Sequence, residues 1–426
     1  MSTQQPAYLR RIQTISPHLQ APPQTVTKNI IYSTIVIGGG VIGASCAYQL
    51  SKDGGNVLLL DQYHMAHDNG SSHGDGRIIR FSYPEDIYIE LAKIVYPMWK
   101  DIEKESNTKL YQMTGGIDFG PGHLEPIVDL IQNYKKHNIP YELLNKEEAE
   151  KKFPQFKFSP TDVIVYQAEG GVLYASKAVK SLWLLCKQFG ATVEQNKKVD
   201  RIKVESKDLI TVLCDDQTVY KGRKVVFAAG GWTNELLYRS QLNLTLRIEV
   251  SQENVFYWEP RPDTPKSIDY SQYSNPVAIY YRDADNAFYS LPEIDIKGVK
   301  CGYHHSGTAL DKMGMPGDRK PYPKEKLDQI KEYIGKYNPG LNNEKESSSL
   351  HCHYTNTPDY HFIVDRHPKH SNIIITSACS GHGFKFAPAI GKLVSCMARD
   401  VPTPFDISDF SLNRFNNKSL IKRTSA

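Results

Sequence analysis

Residues 33–61, STIVIGGGVIGASCAYQLSKDGGNVLLLD, contain the pattern that decides the fold. A β-branched apolar run over residues 33–37 predicts a buried strand, and a helix-compatible stretch follows over residues 41–52. A second apolar run over residues 57–60 predicts another strand after a glycine turn. Strand, turn, helix and strand in this order indicate the opening βαβ unit of a dinucleotide-binding fold.

Three glycines and one acid in this unit stand where a bound dinucleotide requires them. Gly38, Gly40 and Gly43 form a GxGxxG motif, whose glycines permit a tight turn, approach of the pyrophosphate and close helix packing. Asp61 ends the second strand, where its carboxylate can accept hydrogen bonds from a ribose. A glycine turn without a ligand is the alternative, and the motif does not decide between FAD and NAD. The segment VVFAAGGW at 225–232 favours FAD, because a buried strand ending in small residues can pass close to the nucleotide.

The composition is that of a soluble globular protein with two connected domains. The chain has 426 residues, of which 40% are hydrophobic and 23% charged. Its net charge of +4 is too small to indicate a nucleic-acid surface, and no apolar run is long enough to predict a membrane span. Seven cysteines without a CxxC pair favour a reducing compartment over a disulfide framework.

The amino-terminal residues 1–32 have the composition of an unfolded leader. They contain no Asp or Glu, and Arg11-Ile12 is separated by five residues from His18-Leu19. This spacing resembles the amino-terminal peroxisomal targeting signal, so we expect a peroxisomal import receptor to bind residues 11–19. A mitochondrial presequence and a disordered tail are the alternatives, which leaves the mitochondrion and the cytoplasm open as locations.

The rest of the chain combines two kinds of sheet. A meander of short strands, predicted over residues 199–220, leads into a buried strand at 225–229. Residues 241–349 are rich in Tyr, Pro and Asp, and alternating runs such as VAIYY indicate antiparallel strands of a second domain. The last third returns to α/β character, with a strand predicted at 373–377 and a helix at 388–399.

Three further segments carry a resemblance to a known family. They are GSSHGDGRIIRFSY at 70–83, HCHYTNTPDYHFIVD at 351–365 and SGHGFKF at 380–386. With the nucleotide motif, they resemble the monomeric sarcosine oxidase, N-methyltryptophan oxidase and pipecolate oxidase family of flavoenzymes. The resemblance covers residues 32–413 and is loose over 241–285. It implies a monomeric FAD-dependent oxidase of a small secondary amino acid, such as sarcosine or L-pipecolate, with oxygen as acceptor and an imine or aldehyde and hydrogen peroxide as products.

The resemblance and the residue patterns together predict an α/β plus α+β fold class. We expect a Rossmann-like FAD-binding domain interleaved with an antiparallel-sheet substrate domain. The predicted segments are a disordered targeting leader at 1–32, an FAD-binding domain at 33–115, 172–240 and 350–413, a substrate domain at 116–171 and 241–349, and a tail at 414–426.

A cysteine in the second segment is expected to hold the cofactor. The family attaches FAD through a thioether from a cysteine to the 8-methyl carbon of the flavin ring, and the residue at this motif position is Cys352. A buried strand cysteine with a packing role is the alternative. A metal site formed by His351, Cys352 and His353 is excluded, because adjacent side chains of a strand point to opposite faces.

The first and third segments supply the cations that the resemblance assigns to substrate and flavin. By similarity, Arg80 and Lys385 bind the substrate carboxylate, Arg77 lies against the flavin ring, and His73 lies near it. An arginine suits this task because its planar fork makes two parallel charge-assisted hydrogen bonds with a carboxylate. Solvated surface positions are the alternative for these cations.

A fourth motif, GVKCGYHH, supplies a lysine and a histidine. The resemblance places Lys300 over the flavin as the oxygen-activating cation, and places His304 in the pocket, where it tunes substrate binding. Tyr289 and Tyr354 resemble aromatic walls of that pocket, although ordinary packing is equally open for tyrosines in this Tyr-rich chain.

The remaining cofactor contacts are expected from the glycine-rich third segment and the meander. Gly381 and Gly383 would let the backbone approach the flavin, and the helix that follows would direct its positive end there. His382, Val199 and Lys385, which is also expected to bind the substrate, complete the predicted cofactor-binding residues.

Two departures from the family pattern leave the substrate open. Gly76 stands where family members often carry threonine, and Tyr280 is expected at a pocket position that is a flexible apolar residue elsewhere. Two other functions also stay open at this point. One is a flavin amine dehydrogenase with an acceptor other than oxygen, and the other is a catalytically silent FAD-binding protein.

Overall fold

The computed structural model describes residues 26–314 and 318–416. Its strands are β1 (Val26–Ile37), β2 (Val57–Leu60), β3 (Gly76–Ile79), β4 (Tyr111–Met113), β5 (Gly116–Pro121), β6 (Glu142–Leu144), β7 (Asp162–Gln167), β8 (Gly171–Tyr174), β9 (Thr192–Glu194), β10 (Val199–Ser206), β11 (Leu209–Cys214), β12 (Thr218–Phe227), β13 (Glu249–Trp258), β14 (Val277–Tyr281), β15 (Ala287–Leu291), β16 (Val299–Tyr303), β17 (Thr308–Leu310), β18 (Ser348–Asn356), β19 (Ile363–His367) and β20 (His370–Ser377). Its α-helices are α1 (Val41–Lys52), α2 (Asp86–Ser106), α3 (Glu125–Lys136), α4 (Lys146–Lys152), α5 (Ala175–Gln188), α6 (Thr233–Arg239), α7 (Lys324–Tyr337) and α8 (Ala387–Ala398).

The first sheet has a parallel centre. β9, β2, β1, β12 and β20 lie side by side in parallel, while β10 and β11 continue from β12 as an antiparallel meander and β19 pairs antiparallel with β20. Side chains alternate between its faces, so Val36 and Leu59 pack in one core and Ile35 and Leu58 in another. The parallel sheet with covered faces confirms the predicted dinucleotide-binding fold class.

The helix that follows the glycine motif is buried on nearly all sides. α1 packs against α5 and α8, and its residues from Val41 to Ser51 are almost all buried. A helix that is buried all round needs small or apolar residues, and the sequence VIGASCAYQL supplies them. α1, β2 and the helix α8 lie within one residue of the bounds that the sequence predicts.

The second sheet carries the other half of the molecule. Its strand order is β17-β13-β16-β15-β14-β5-β7-β6, with β18 paired to the other edge of β13, and most pairs are antiparallel. An aromatic core lies between one face of this sheet and α7. β3, β8 and β4 form a separate small sheet. The expected antiparallel strands within 241–349 are therefore present.

Three local predictions differ from the structure. The first strand begins at Val26 rather than Ser33, so part of the expected leader pairs with β12. The end of the predicted meander and the buried strand at 225–229 are one continuous strand, β12. The helix α7 lies in a region for which only strands were predicted. Among the described residues, no helix is both long enough and apolar enough to cross a membrane.

The strand that carries Cys352 also differs from the predicted division of the chain. Residues 350–413 were assigned to the FAD-binding domain, but β18 pairs along its whole length with β13 of the second sheet. Cys352 therefore reaches the first domain from the substrate side. Of the strands in this segment, only β18 departs from the predicted division, since β19 and β20 pair within the first sheet. Strand pairing over long sequence distances is not revealed by local patterns.

Candidate active site

A cavity of about 280 Å³ lies between the two sheets and is lined by most of the predicted site residues. It extends from the glycine motif, past the ends of the parallel strands, to the second sheet. Of the residues predicted to bind cofactor or substrate or to act in catalysis, the cavity is lined by Gly38, Gly40, Asp61, His73, Arg77, Arg80, Val199, Tyr289, Lys300, His304, Cys352, Tyr354, Gly381, His382, Gly383 and Lys385. Gly43 is the exception, since it lies behind this wall.

The glycines at the nucleotide end are required by close backbone contacts. Gly38 has a φ of +103°, and a Cβ on it would lie 2.3 Å from the carbonyl oxygen of Ala228. A Cβ on Gly43 would lie 1.8 Å from the carbonyl oxygen of Gly38. These distances exclude any side chain, so the turn and the start of α1 can approach β12 only with glycine at both positions.

Asp61 is fixed at the end of β2 by two backbone donors. Its Oδ2 accepts a hydrogen bond from the N–H of Gly39 at 2.6 Å, and its Oδ1 accepts one from Tyr63 at 2.8 Å. The same turn is held by Trp183, whose Nε1 donates to the carbonyl of Gly39 at 2.7 Å. Ser72 Oγ accepts from the N–H of Val41 at 3.0 Å, at the positive end of α1. Neither Trp183 nor Ser72 was among the predicted site residues.

The residues around His73 fit a flavin dinucleotide. Nε2 of His73 is buried and has no hydrogen-bond partner within the described part of the chain. Burial, with a smaller effect of Arg77, lowers the pKa of His73 to about 3, so the imidazole is neutral at physiological pH. A buried neutral imidazole that lines a cavity can pair with a ring heteroatom of a bound cofactor.

Arg77 lies beside this histidine. Its Nη1 donates to the carbonyl of Gly76 at 3.0 Å and its Nη2 to that of Ser71 at 2.9 Å, so both contacts hold it to the loop from which it arises. Its guanidinium lies 5.6 Å from the ring of Phe384. A delocalised cation that is held by backbone carbonyls and lines the cavity suits contact with a planar, electron-rich ring.

Gly76 has no room for the threonine that is frequent at this position in the family. A Cβ on Gly76 would lie 2.7 Å from Ile294, 2.9 Å from Val172 and 3.0 Å from Leu291. Apolar side chains therefore fill the space. The carbonyl of Gly76 accepts a hydrogen bond from Lys300, as described below.

Arg80 presents only part of its guanidinium to a ligand. Its Nη1 donates to Ser82 Oγ at 2.8 Å, to Asp118 Oδ1 at 2.9 Å and to the hydroxyl of Tyr281 at 3.2 Å. Nε and Nη2 have no partner among residues 26–314 and 318–416. Burial opposes protonation of Arg80, but Tyr281 and Asp118 outweigh it and raise its pKa, so the side chain stays charged.

Tyr83 contacts both of the cations that are predicted to bind the substrate carboxylate. The guanidinium of Arg80 lies 5.2 Å from the ring of Tyr83. Nζ of Lys385 donates to the hydroxyl of Tyr83 at 2.6 Å and to the carbonyl of His382 at 2.8 Å. Two cations that lie 305 positions apart in the chain thus share one aromatic support, and both line the cavity.

Lys300 is a buried cation on β16. Its Nζ donates to the carbonyl of Gly76 at 2.9 Å and lies 3.7 Å from Oδ1 of Asp75. The hydroxyl of Tyr257 donates to the same oxygen at 2.8 Å. Burial and the nearby charge of Arg77 lower the pKa of Lys300 to about 8, while Asp75 opposes this change. Asp75 and Tyr257 were not among the predicted site residues.

Cys352 lines the cavity from β18, directly opposite Glu253 of β13. Burial raises the pKa of its thiol to about 11, although Arg77 and Lys300 act in the opposite direction, so the thiol is protonated at neutral pH. Across the described residues, no group of three His, Cys, Asp or Glu side chains is arranged to hold a metal ion.

Aromatic rings form the wall of the cavity near the predicted substrate position. The hydroxyl of Tyr354 and Nδ1 of His304 lie 3.3 Å apart, and the ring of Tyr289 meets that of His304 edge-on at 6.2 Å. The prediction for Tyr280 is wrong. Its side chain points into the aromatic core, where its ring lies 4.4 Å from that of Tyr337, and the preceding residue, Ile279, lines the cavity instead.

The class of protein follows from a comparison of the whole chain. Residues 33–397 match the family described as FAD dependent oxidoreductase, or DAO. This match spans most of the chain, and the chain belongs to that family. The chain is therefore a flavoprotein oxidoreductase, and the cavity lined by the glycine-rich turn, Asp61, His73 and the cations is its candidate site for FAD.

Three individual relatives are similar in sequence to the chain over most of its length. The chain is 34% identical to peroxisomal sarcosine oxidase of Mus musculus over 91% of this chain and 97% of the relative. It is 31% identical to a monomeric sarcosine oxidase of a Bacillus species, over 92% and 99%. It is 30% identical to N-methyl-L-tryptophan oxidase of Yersinia pestis, over 90% and 99%. These matches confirm the family that the sequence motifs resemble.

Solved structures agree on the fold. L-proline dehydrogenase from P. horikoshii superposes with a TM-score of 0.79 at 22% identity, over 92% of this chain and 99% of that one. NikD, described as an unusual amino acid oxidase, superposes with a TM-score of 0.77 at 21% identity, over 91% and 98%. At these identities the likeness concerns the fold.

Proposed function

We propose that the protein is an FAD-dependent oxidase of a small secondary amino acid of the sarcosine or L-pipecolate type. One observation carries the proposal: Arg80 and Lys385 both contact Tyr83 and both line the cavity, which Cys352 and Arg77 also line. Fixed cations that converge on one aromatic support form an anchor for a carboxylate. The names of the relatives support an N-alkylated amino acid as the bearer of that carboxylate.

Substrate binding begins with the carboxylate. The open Nε–Nη2 edge of Arg80 donates two parallel hydrogen bonds to it, and the ammonium of Lys385 adds a third. Both cations are already desolvated and held by protein groups, so little side-chain ordering accompanies binding. This anchor fixes the orientation of the Cα and the amine.

The amine then lies against the aromatic wall. Tyr289, Tyr354 and His304 exclude water from this end of the cavity and favour the neutral amine, whose lone pair is needed for oxidation. Bound FAD supplies a two-electron acceptor for oxidation of the C–N bond. The released imine hydrolyses to an aldehyde and an amine, or stays cyclic for a ring substrate.

We propose oxygen as the final acceptor, with Lys300 as the group that promotes its reduction. A buried ammonium stabilises negative charge that develops on oxygen as it takes up electrons, and it needs no reorganisation to do so. The product of this half-reaction is hydrogen peroxide.

We also propose that Cys352 holds FAD covalently. Its Sγ would bond to the 8-methyl carbon of the flavin ring; the thiol hydrogen and one methyl hydrogen leave as two protons and two electrons, which oxygen takes up. Exposure of Cys352 to the cavity and its closeness to Arg77 and Lys300, which favour the thiolate, support this proposal.

The proposed setting is a peroxisome, with the protein acting as a monomer. The names of two mammalian relatives include the word peroxisomal, and those of three bacterial relatives include the word monomeric. The expected targeting segment at 11–19 lies outside the described residues. Loss of peroxisomal import of a fluorescent fusion after Arg11→Ala would support the receptor interaction, and unchanged import would refute it.

Peroxide release tests the proposed function. Purified protein is incubated in air with sarcosine, L-pipecolate, L-proline or N-methyl-L-tryptophan, and hydrogen peroxide is measured. We expect peroxide from at least one of them. Reduction of an artificial dye without peroxide would indicate a dehydrogenase with another acceptor, and neither reaction would indicate a silent FAD-binding protein.

A further inference from the structure

A carboxylate lies buried behind the predicted substrate anchor. Asp118 is in the middle of β5 and is 4% exposed. Its neighbours Ile117 and Phe119 face the aromatic core of the second sheet. By the alternation of a strand, Asp118 points the other way, towards Arg80. A buried carboxylate at such a position is retained only with a partner, and the partner here is the guanidinium.

Arg80, Asp118 and Tyr281 contact one another pairwise, and Ser82 Oγ accepts a further hydrogen bond from Nη1 of Arg80. Nη1 of Arg80 donates to Oδ1 of Asp118 at 2.9 Å and to the hydroxyl of Tyr281 at 3.2 Å. The hydroxyl of Tyr281 donates to the same oxygen of Asp118 at 3.1 Å. β14, which ends at Tyr281, pairs in parallel with β5, so the backbone of the second sheet fixes two of the three groups.

We propose that Asp118, together with Tyr281, is a positioning residue for the carboxylate of the amino acid substrate. It holds one end of the Arg80 guanidinium and thereby directs the other edge, Nε and Nη2, to the ligand. The inference rests on the proposed function, because it needs Arg80 to bind the substrate carboxylate. An arginine side chain has many rotamers, and fixing one of them before the ligand arrives removes an ordering cost from binding.

Asp118 and the ligand use different donors. Asp118 occupies Nη1, whereas a bidentate carboxylate would take Nε and Nη2, which have no partner in the described ranges. The anion of the protein therefore does not compete with the anion of the substrate for the same N–H groups. Positioning predicts weaker binding when the charge of Asp118 is removed. Competition between the two anions predicts tighter binding.

The experiment compares the holoenzyme with Asp118→Asn and Tyr281→Phe. Titration with methoxyacetate, a carboxylate with no oxidisable amine, is followed by the change in flavin absorbance and gives a Kd. We expect Kd to rise about tenfold for Asp118→Asn and about threefold for Tyr281→Phe. We expect KM of the oxidised amino acid to rise in parallel, while kcat changes much less. Tyr280→Phe is the matched control, because the neighbouring tyrosine faces the aromatic core, and its Kd should equal that of the parent.

Unchanged or tighter binding of methoxyacetate by Asp118→Asn would overturn the proposal. Equal losses of kcat and of affinity would also overturn it, because they indicate a general structural role. If Asp118→Asn does not fold, an unchanged Kd in Tyr281→Phe overturns it. A parent enzyme that oxidises amino acids while both variants bind methoxyacetate normally would refute this inference alone. A parent that neither binds methoxyacetate nor oxidises any amine would refute the proposed function as well.

Discussion

The ammonium of Lys300 lies 3.7 Å from the carboxylate of Asp75, and the side chains are only 5% and 3% exposed. The carboxylate is fixed by a hydrogen bond from Tyr257, so the cation has a stable counter-charge. Without such a partner, a lysine at this depth would lose its proton near neutral pH. The pair therefore keeps Lys300 charged at the wall of the cavity, with a pKa of about 8.

Replacement of Lys300 tests its proposed role towards oxygen. Lys300→Met should slow flavin reoxidation by oxygen about a hundredfold or more, and should slow flavin reduction by the amine much less. Stopped-flow measurements of the two half-reactions separate these effects. Lys297→Met, an exposed lysine three positions earlier, is the control. Equal slowing of both half-reactions would contradict the assignment.

The pH dependence of the oxygen reaction gives a second test. Lys300 carries its charge below its pKa and loses it above, so the reoxidation rate should be highest below pH 8 and fall as pH rises through about 8. The same profile measured for Lys300→Met should be flat over this range. A parent rate that rises through pH 8 would contradict the account.

Denaturation tests the covalent bond of Cys352. Acid precipitation of Cys352→Ser should release all the flavin that the protein holds, whereas the parent should stay yellow. Cys379→Ser is the matched control, because Cys379 also lines the cavity and its loss should leave the flavin attached. Flavin that stays with precipitated Cys352→Ser would refute the attachment site.

The carboxylate anchor can be tested at its second cation. Lys385→Met removes one charge-assisted hydrogen bond and should raise KM for the amino acid roughly 10- to 100-fold. Steady-state kinetics measure the effect, and Lys392→Met on the following helix should leave KM unchanged. A Lys385→Met enzyme with the KM of the parent would show that the substrate carboxylate binds elsewhere.

The buried carboxyl of Glu253 should make the stability of the protein depend on pH. Burial raises the pKa of this carboxyl from its ordinary 4.5 to about 7, although Ser251 and two backbone N–H groups oppose the change. Between these values the unfolded chain ionises and the folded protein keeps the proton, so the free energy of unfolding decreases as pH rises from about 4.5 to 7. Glu253→Gln removes this decrease, which amounts to roughly 3 kcal/mol or less.

Thermal unfolding at several pH values checks the effect. Tm of Glu253→Gln should match that of the parent near pH 4.5 and exceed it above pH 7. Glu344→Gln, at an exposed position, should follow the parent throughout. A Glu253→Gln protein that is less stable than the parent at pH 8 would contradict this account of the carboxyl.

Local sequence predicted the strand, turn and helix around the glycine motif well, because a few neighbouring residues specify them. The turn at Gly38 and the helix after it depend on contacts that a short motif specifies. The role of Asp118 could not be predicted from a local motif, because its partners are distant in the sequence. Arg80 is 38 positions away and Tyr281 is 163 positions away. Such contacts depend on strand order and register, which no local pattern gives.

For two of the incorrect predictions, the sequence contains a pattern that indicates the observed structure. Leu327, Ile330 and Ile334 have helical spacing after Pro323, and they predict the amphipathic helix α7 that strand-like composition obscured. The alternation of β14 likewise indicates that only one of Ile279 and Tyr280 can face the cavity. The choice between them required the position of the aromatic core.

Anaerobic reduction of the flavin by an amine is the decisive test of the proposed function. The purified holoenzyme is mixed without oxygen with excess sarcosine or L-pipecolate, and the visible absorbance of the flavin is recorded. From the proposed function we expect that one of these amines bleaches the absorbance and that admitted air restores it with release of peroxide. Flavin that stays fully oxidised with each amine, in protein that carries its cofactor, would contradict it.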